Sequence, residues 1–197
     1  MGRIVAYGDA IASGIAFANP STINAGGVAC GLVSGSRAPT SVIERGDHVI
    51  VSLGWNDINA VFGEQPFIAP AMYERRMAAL LQEIRNRNGG ASISLLGLEP
   101  LTTRYPGITN AQVLPMNLLL EQVAHKARVH FVDLAANPVG HRTADGLLYH
   151  RAGYQQLVAR AGHVVEHGGL PLHMPLRPIM RPATARPVPP RTPPPRQ

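Results

Sequence analysis

Three short stretches carry the residue types that hydrolytic chemistry uses. Gly8-Asp9-Ala10 ends one apolar run and opens a helical pattern, Gly54-Trp55-Asn56-Asp57 follows a second run, and Asp145 precedes His150 in ADGLLYHRAGYQQL. A hydroxyl at a helix start lies near the positive end of the dipole and near unpaired amides, where a nucleophile is readily activated. It needs a histidine within hydrogen-bond reach and an aspartate to fix the imidazole tautomer. Backbone amides and an asparagine side chain can then stabilise the oxyanion, at about 3–4 kcal/mol per donor. At the first stretch the residue in the nucleophile's place is Ala10, which has no functional group.

Positioning such groups takes a sheet with its loops at one edge. Strands are expected over 3–7, 22–24, 48–53, 92–98 and 130–132; HVIVSL and SISLLGL are continuous apolar runs, as buried parallel strands require. Helices are expected over 70–88, 114–127 and 151–166, with shorter ones after the first two strands. Pro70 suits a first turn, and Tyr73, Met77, Leu80, Leu81 and Ile84 recur on one face. The alternation predicts right-handed βαβ units, a three-layer α/β/α sandwich on a five-stranded parallel sheet, with ligands outside the carboxyl ends of the strands.

Bulk properties narrow the class. The chain has 197 residues, 45% of them apolar, enough for one α/β domain with a sizeable core. It has no apolar run long enough to span a bilayer, and the N-terminus enters a strand without a secretory signal, so synthesis in the cytoplasm is expected. Cys30 is the only cysteine and no zinc-spaced cluster exists, so neither a disulfide, a metal nor a cofactor is expected. The net charge is +6, but Arg177, Arg181, Arg186, Arg191 and Arg196 carry five of those charges in a segment with no acid. The body is therefore near neutral, which argues against a nucleic-acid face. Lys126 is the only lysine, a bias that reads as a GC-rich genome.

The same C-terminal segment changes composition. After position 170 it holds ten of the eighteen prolines, so the chain divides into a domain over 1–169 and an extended Pro/Arg-rich tail over 170–197. The tail's apolar residues Leu172, Met174, Leu176, Ile179 and Met180, with its five arginines, are the expected contacts to other protein chains of an assembly or to further copies of this one.

IVAYGDAIASG, INAGGVACG, VIVSLGWNDIN and ADGLLYHRAGYQQL, in that order, resemble the four blocks of the SGNH/GDSL hydrolase family over roughly residues 3–165. The resemblance implies the flavodoxin-like sandwich already read from the pattern. It also implies a Gly-Asp-Ser nucleophile block, a glycine amide, a Gly-x-Asn-Asp turn, and an Asp-Gly-x-His pair with Gly-Tyr just after it. Gly8 and Asp9 match, and Ala10 replaces the serine. Gly27 or Gly31 fills the second block; Asn56 matches, with Asp57 after it. Asp145 and Gly146 match, and Leu148 takes the histidine's place, with Gly153-Tyr154 at the family spacing. Ser13, one turn beyond Ala10, and His150, two residues beyond Leu148, are the neighbours considered as substitutes.

The expectation is therefore a catalytically inactive domain that serves as a structural or decorating component of an assembly, such as a virion, held by its tail. A dead-hydrolase domain binding a glycan or acyl group is the first alternative. An esterase or deacetylase using Ser13 and His150 is the second. Within the cleft, Asp9 is expected to cap the first helix, Trp55 either to pack or to stack on a ligand, and Asn56 to be a donor or a turn residue. His141 reads as a solvated loop residue. The long loops over 58–69 and 99–109, with Phe62, Phe67 and Tyr105, read as a lid or partner surface.

Overall fold

A computed structural model describes residues 2–33, 36–143 and 145–167. The tail contacts expected at Leu172, Met174, Leu176, Arg177, Ile179, Met180, Arg181, Arg186, Arg191 and Arg196 lie outside the described residues, as does the domain boundary at 169. Five strands, β1 (Ile4–Gly8), β2 (Thr22–Gly26), β3 (His48–Ser52), β4 (Ile93–Leu96) and β5 (His130–Val132), form one parallel sheet in the order β2-β1-β3-β4-β5. Residues Val5–Tyr7, Val49–Val51 and Leu95–Leu96 are at most 1% exposed, so the central strands are covered on both faces, as their unbroken apolar runs require.

The helices are α1 (Ala10–Ala18), α2 (Ile58–Phe62), α3 (Pro70–Asn88), α4 (Asn110–Ala127) and α5 (Arg151–Glu166). α1 packs on α5, and α4 packs on both α3 and α2, giving the two outer layers that right-handed crossovers from this strand order demand. On α3 the expected stripe of Tyr73, Met77, Leu80, Leu81 and Ile84 is buried. α1 and α5 approach closely at Gly14: a Cβ there would lie 2.1 Å from Tyr154 Cζ.

Three elements depart from expectation. Between β2 and β3 the described residues form no α-helix, only a 3-10 turn at Thr40–Val42, because Gly26, Gly27, Gly31 and Pro39 interrupt the segment. α4 starts at Asn110 instead of residue 114. Thr109 and Gln112 form a reciprocal capping box there, and Pro115 sits inside the helix. The segment after Asp57 is not all loop but begins with the short helix α2.

Register brings the cleft segments together. Gly8 pairs with Gly26 on one side and Ser52 on the other, so the first three loops leave the sheet side by side. Gly8 has φ +133°, and a Cβ on it would lie 1.8 Å from Ser52 O. Only glycine fits that approach, which aligns the β1 turn against β3.

Candidate functional site

At the β1–α1 junction Asp9 is the N-cap: its Oδ1 accepts from the Ile11 amide (3.0 Å) and from Ser52 Oγ (3.0 Å). The side chain is 1% exposed, and Oδ2 accepts no hydrogen bond among the described residues. Burial pushes its pKa from the ordinary carboxylate value up to about 7, against the hydrogen bonds from Ser52 and Ile11, with Asp57 nearby adding to the rise. The next residue, half-buried Ala10, presents a methyl group where the helix dipole favours negative charge.

The donors that should surround this point are engaged elsewhere. The Gly27 amide donates to Gly8 O (3.0 Å) and the Gly31 amide to Ser36 O (2.9 Å). Asn56 Nδ2 donates to Val28 O and Cys30 O, both at 2.8 Å, so both of its hydrogens are committed to the second loop. Asp57, fully buried, holds the same loop from beneath by accepting from the amides of Leu32 (2.8 Å) and Val33 (2.9 Å). Asn56 is thus a tie between loops. At the start of α1 the Ala10 amide is left without an intrahelical partner by the geometry of a helix end. Trp55 is 7% exposed and packs in the core, with the Arg142 guanidinium 6.0 Å from its ring centroid; it is not a platform for a ligand.

On the β5 side, Asp145 is exposed and turned onto its own loop. Its Oδ1 accepts from Thr143 Oγ1 (2.6 Å) and the amides of Leu147 (2.9 Å) and Leu148 (3.0 Å). Partial burial works to raise its pKa, but these hydrogen bonds and the charge of Arg142 hold it below the usual carboxylate value. Leu148 is half-buried against the core. His150 is exposed at the N-cap of α5, its amide bonded to His141 O (2.7 Å) and its side chain making no capping bond. His141 is exposed, as expected, at φ 54°. Ser13, half-buried in α1, has its amide bonded to Asp9 O (3.2 Å), and no hydrogen bond joins it to His150 among the described residues.

Sequence reasoning missed the strongest polar feature of this side. Glu99, in the loop that follows β4, and Arg142 form an ion pair (3.2 Å) with side chains only 2% and 4% exposed. Glu99 also accepts from the Val139 amide (2.8 Å), the Gly140 amide (3.2 Å) and the Tyr149 hydroxyl (3.1 Å). Arg142 donates to Gly146 O, Leu147 O, Glu99 O and Tyr149 Oη, so the guanidinium has partners for all its donors. Burial pushes the Tyr149 hydroxyl pKa well up, with Arg142 opposing and Glu99 adding to the rise. The readable signals were an acid ending an apolar strand and a lone arginine in VGHRTADG, but nothing in the sequence pairs them.

Comparison with known proteins places this geometry. The model of the GDSL-like lipase/acylhydrolase family matches residues 31–174. The chain belongs to that family. Among solved structures, a lipase/acylhydrolase from Enterococcus faecalis superposes with TM-score 0.60 at 16% identity, covering 85% of this chain and 97% of that one. A GDSL-like lipase from Bacteroides thetaiotaomicron gives TM-score 0.60 at 16% identity, with coverages of 84% and 88%. An acetyl xylan esterase, AlAXEase, gives 0.59 at 14% identity, covering 82% and 98%. These likenesses establish the shared fold. No curated sequence relative matches the chain.

In this GDSL-family domain the family match begins at residue 31, beyond the Gly-Asp-Ala block, and ends at 174, past the expected boundary of 169. Among the described residues no group of three or more His, Cys, Asp or Glu side chains is arranged to hold a metal ion, and no helix is long and apolar enough to cross a membrane. The expected lid region forms an open groove of about 790 Å³ between α2 with its following loop, the loop ahead of α4, and the first turn of α4.

Proposed function

We propose that this chain is a non-hydrolytic member of the GDSL-like lipase/acylhydrolase family and works as a component of a protein assembly. One section through the cleft carries the non-hydrolytic half. Where the family resemblance calls for a hydroxyl, an imidazole and a free amide, this chain has the methyl of Ala10, the isobutyl of Leu148 and an Asn56 amide held by two carbonyls. Ester hydrolysis needs the nucleophile and its base within hydrogen-bond reach of each other and of the oxyanion donors. Displacements of ~1 Å already cost about 100-fold, and Ser13 and His150 are joined by no hydrogen bond among the described residues.

The assembly half rests on composition. A segment rich in proline loses less entropy on ordering than a flexible one, and five arginines in it can make bidentate contacts to carboxylates on a partner. A virion, in which domains are tied together by extended arms, is a setting that fits such a segment. The test has two arms. The chain should neither hydrolyse p-nitrophenyl acetate above the rate of a control protein nor react with a fluorophosphonate probe; labelling at Ser13 would establish the esterase alternative instead. Removing residues 175–197, which leaves every residue matched by the family model, should preserve the circular dichroism spectrum and weaken incorporation into the native particle or oligomer. Unchanged incorporation would refute the assembly role of the segment.

A further inference from the structure

Two of the eight histidines meet at the carboxyl end of α5. His163 stands in the last turn and His167 is the C-cap, both exposed, with ring centroids 4.1 Å apart and planes 30° from parallel. Among the described residues they are the one pair of imidazoles in ring contact. α5 begins beside the Asp145 loop, so the pair lies about 24 Å along the helix from that side of the cleft.

Their spacing is a chelating one. Residues four apart on a helix have Cβ atoms about 5–6 Å from each other, which lets two imidazoles reach one ion at metal–nitrogen distances of about 2.0–2.1 Å. One ring is already set for that role. His167 Nδ1 lies 3.0 Å from His163 O. A carbonyl only accepts, so Nδ1 carries the hydrogen and Nε2 the lone pair. A backbone carbonyl that fixes one ring nitrogen and leaves the other as the ligand is the arrangement that orients metal-binding histidines.

The position on the helix selects the sign of the ligand. The carbonyls of a last turn form the negative end of the dipole, which favours a cation and opposes an anion. Glu166, exposed and next to His167, adds negative charge, and Arg160, one turn before His163, donates from its guanidinium to Asn137 O and to Pro138 O (3.0 Å). The ligand atoms select the element. Magnesium and calcium take oxygen ligands, whereas neutral imidazole suits zinc, copper and nickel. No third His, Cys, Asp or Glu side chain joins the pair among the described residues, so the remaining coordination positions fall to water. We propose that His163 and His167 together chelate one divalent late transition-metal ion.

The inference is independent of the assembly reading, because its test needs neither a partner nor a substrate. The untagged full chain is titrated by calorimetry with NiCl₂ and with ZnCl₂. The expected result is saturable binding of one ion per chain at the tightest site, reversed by EDTA. His163→Ala and His167→Ala should each weaken it at least about tenfold. Both side chains are exposed, so both variants are expected to fold, with circular dichroism as the check. His125→Ala and His150→Ala, exposed and elsewhere on the domain, should bind like the parent. Paramagnetic broadening by Ni²⁺ should be confined to amide signals of the last two turns of α5. Absence of saturable binding overturns the proposal. So does binding that either single variant leaves unchanged, and so does broadening centred away from α5. Two ions per chain, of which each variant removes one at unaltered affinity for the other, would show separate imidazoles instead of a chelate and also overturns it.

Discussion

The two sides of the cleft hold their polar groups by different means. On the β1 side the backbone of the family is kept: Asp9 caps α1, Gly8 lies against Ser52, and Asn56 follows β3. There the Gly27 amide, the Gly31 amide and the Asn56 side chain all donate to protein carbonyls. On the β5 side an ion pair dominates. A buried Glu99–Arg142 pair with Tyr149 organises the loop, and Asp145 serves only its own turn. The difference shows two ways in which loops at one edge of a sheet are fixed. On one side a side-chain amide ties two loops through Val28 O and Cys30 O, and on the other a buried ion pair fixes the loop.

If the β5 side is held by its ion pair, breaking that pair should give the largest effect. Arg142→Met leaves Glu99 buried without its cation and should destabilise the domain by about 3–5 kcal/mol in urea unfolding. Replacing both partners with apolar residues should cost clearly less than the sum of the single changes. A loss below about 1 kcal/mol for Arg142→Met would mean that the loop is held by its apolar contacts alone.

On the β1 side, Asn56→Ala removes two hydrogen bonds to Val28 O and Cys30 O and should cost about 1–3 kcal/mol, with faster amide exchange confined to the second loop. A free oxyanion donor could be removed with no loss of stability, so a neutral outcome would contradict the role of tie.

A smaller effect, visible only as a pH dependence, belongs to Asp9. Its folded pKa is raised, from an ordinary carboxylate value to about 7. The native state therefore holds a proton that the unfolded chain releases above pH ~4. The stability this group contributes is fully present below pH ~4 and is lost as pH rises towards about 7. Asp9→Asn keeps an oxygen for the Ile11 amide and cannot ionise. It should flatten the fall in melting temperature between pH 4 and 7 and stabilise the domain by on the order of 1–2 kcal/mol above that window. An unchanged pH profile would show that Asp9 titrates as it does in the unfolded chain.

Much of this architecture was legible in the chain. The strand runs, the α3 stripe and the Asp9 cap follow from period and from local hydrogen bonding, which neighbours in sequence decide. The missing hydroxyl and imidazole were equally legible, because Ala10 and Leu148 are absences of residue type. The course of the donors was not. Asn56 reaches carbonyls 26 and 28 residues away, and Glu99 meets Arg142 across 43 residues, contacts that only the folded loops create. The expected start of α4 at residue 114 fell late, because the capping box at Thr109 and Gln112 begins the helix at Asn110.

On the proposed non-hydrolytic reading, the second-loop amides and Asn56 are engaged by protein carbonyls while the nucleophile and base are replaced, and restoring the last two is the sharpest check. The double variant Ala10→Ser/Leu148→His regains a hydroxyl at the helix start and an imidazole three residues after Asp145. Its burst and steady-state hydrolysis of p-nitrophenyl acetate should be measured beside the parent chain, with folding checked by circular dichroism. The double variant should fold and remain at the parent's rate, because the Gly31 amide and the Asn56 side chain still face Ser36, Val28 and Cys30. A stoichiometric acyl-enzyme burst followed by turnover would contradict the claim, showing that those donors are free to swing back to an oxyanion.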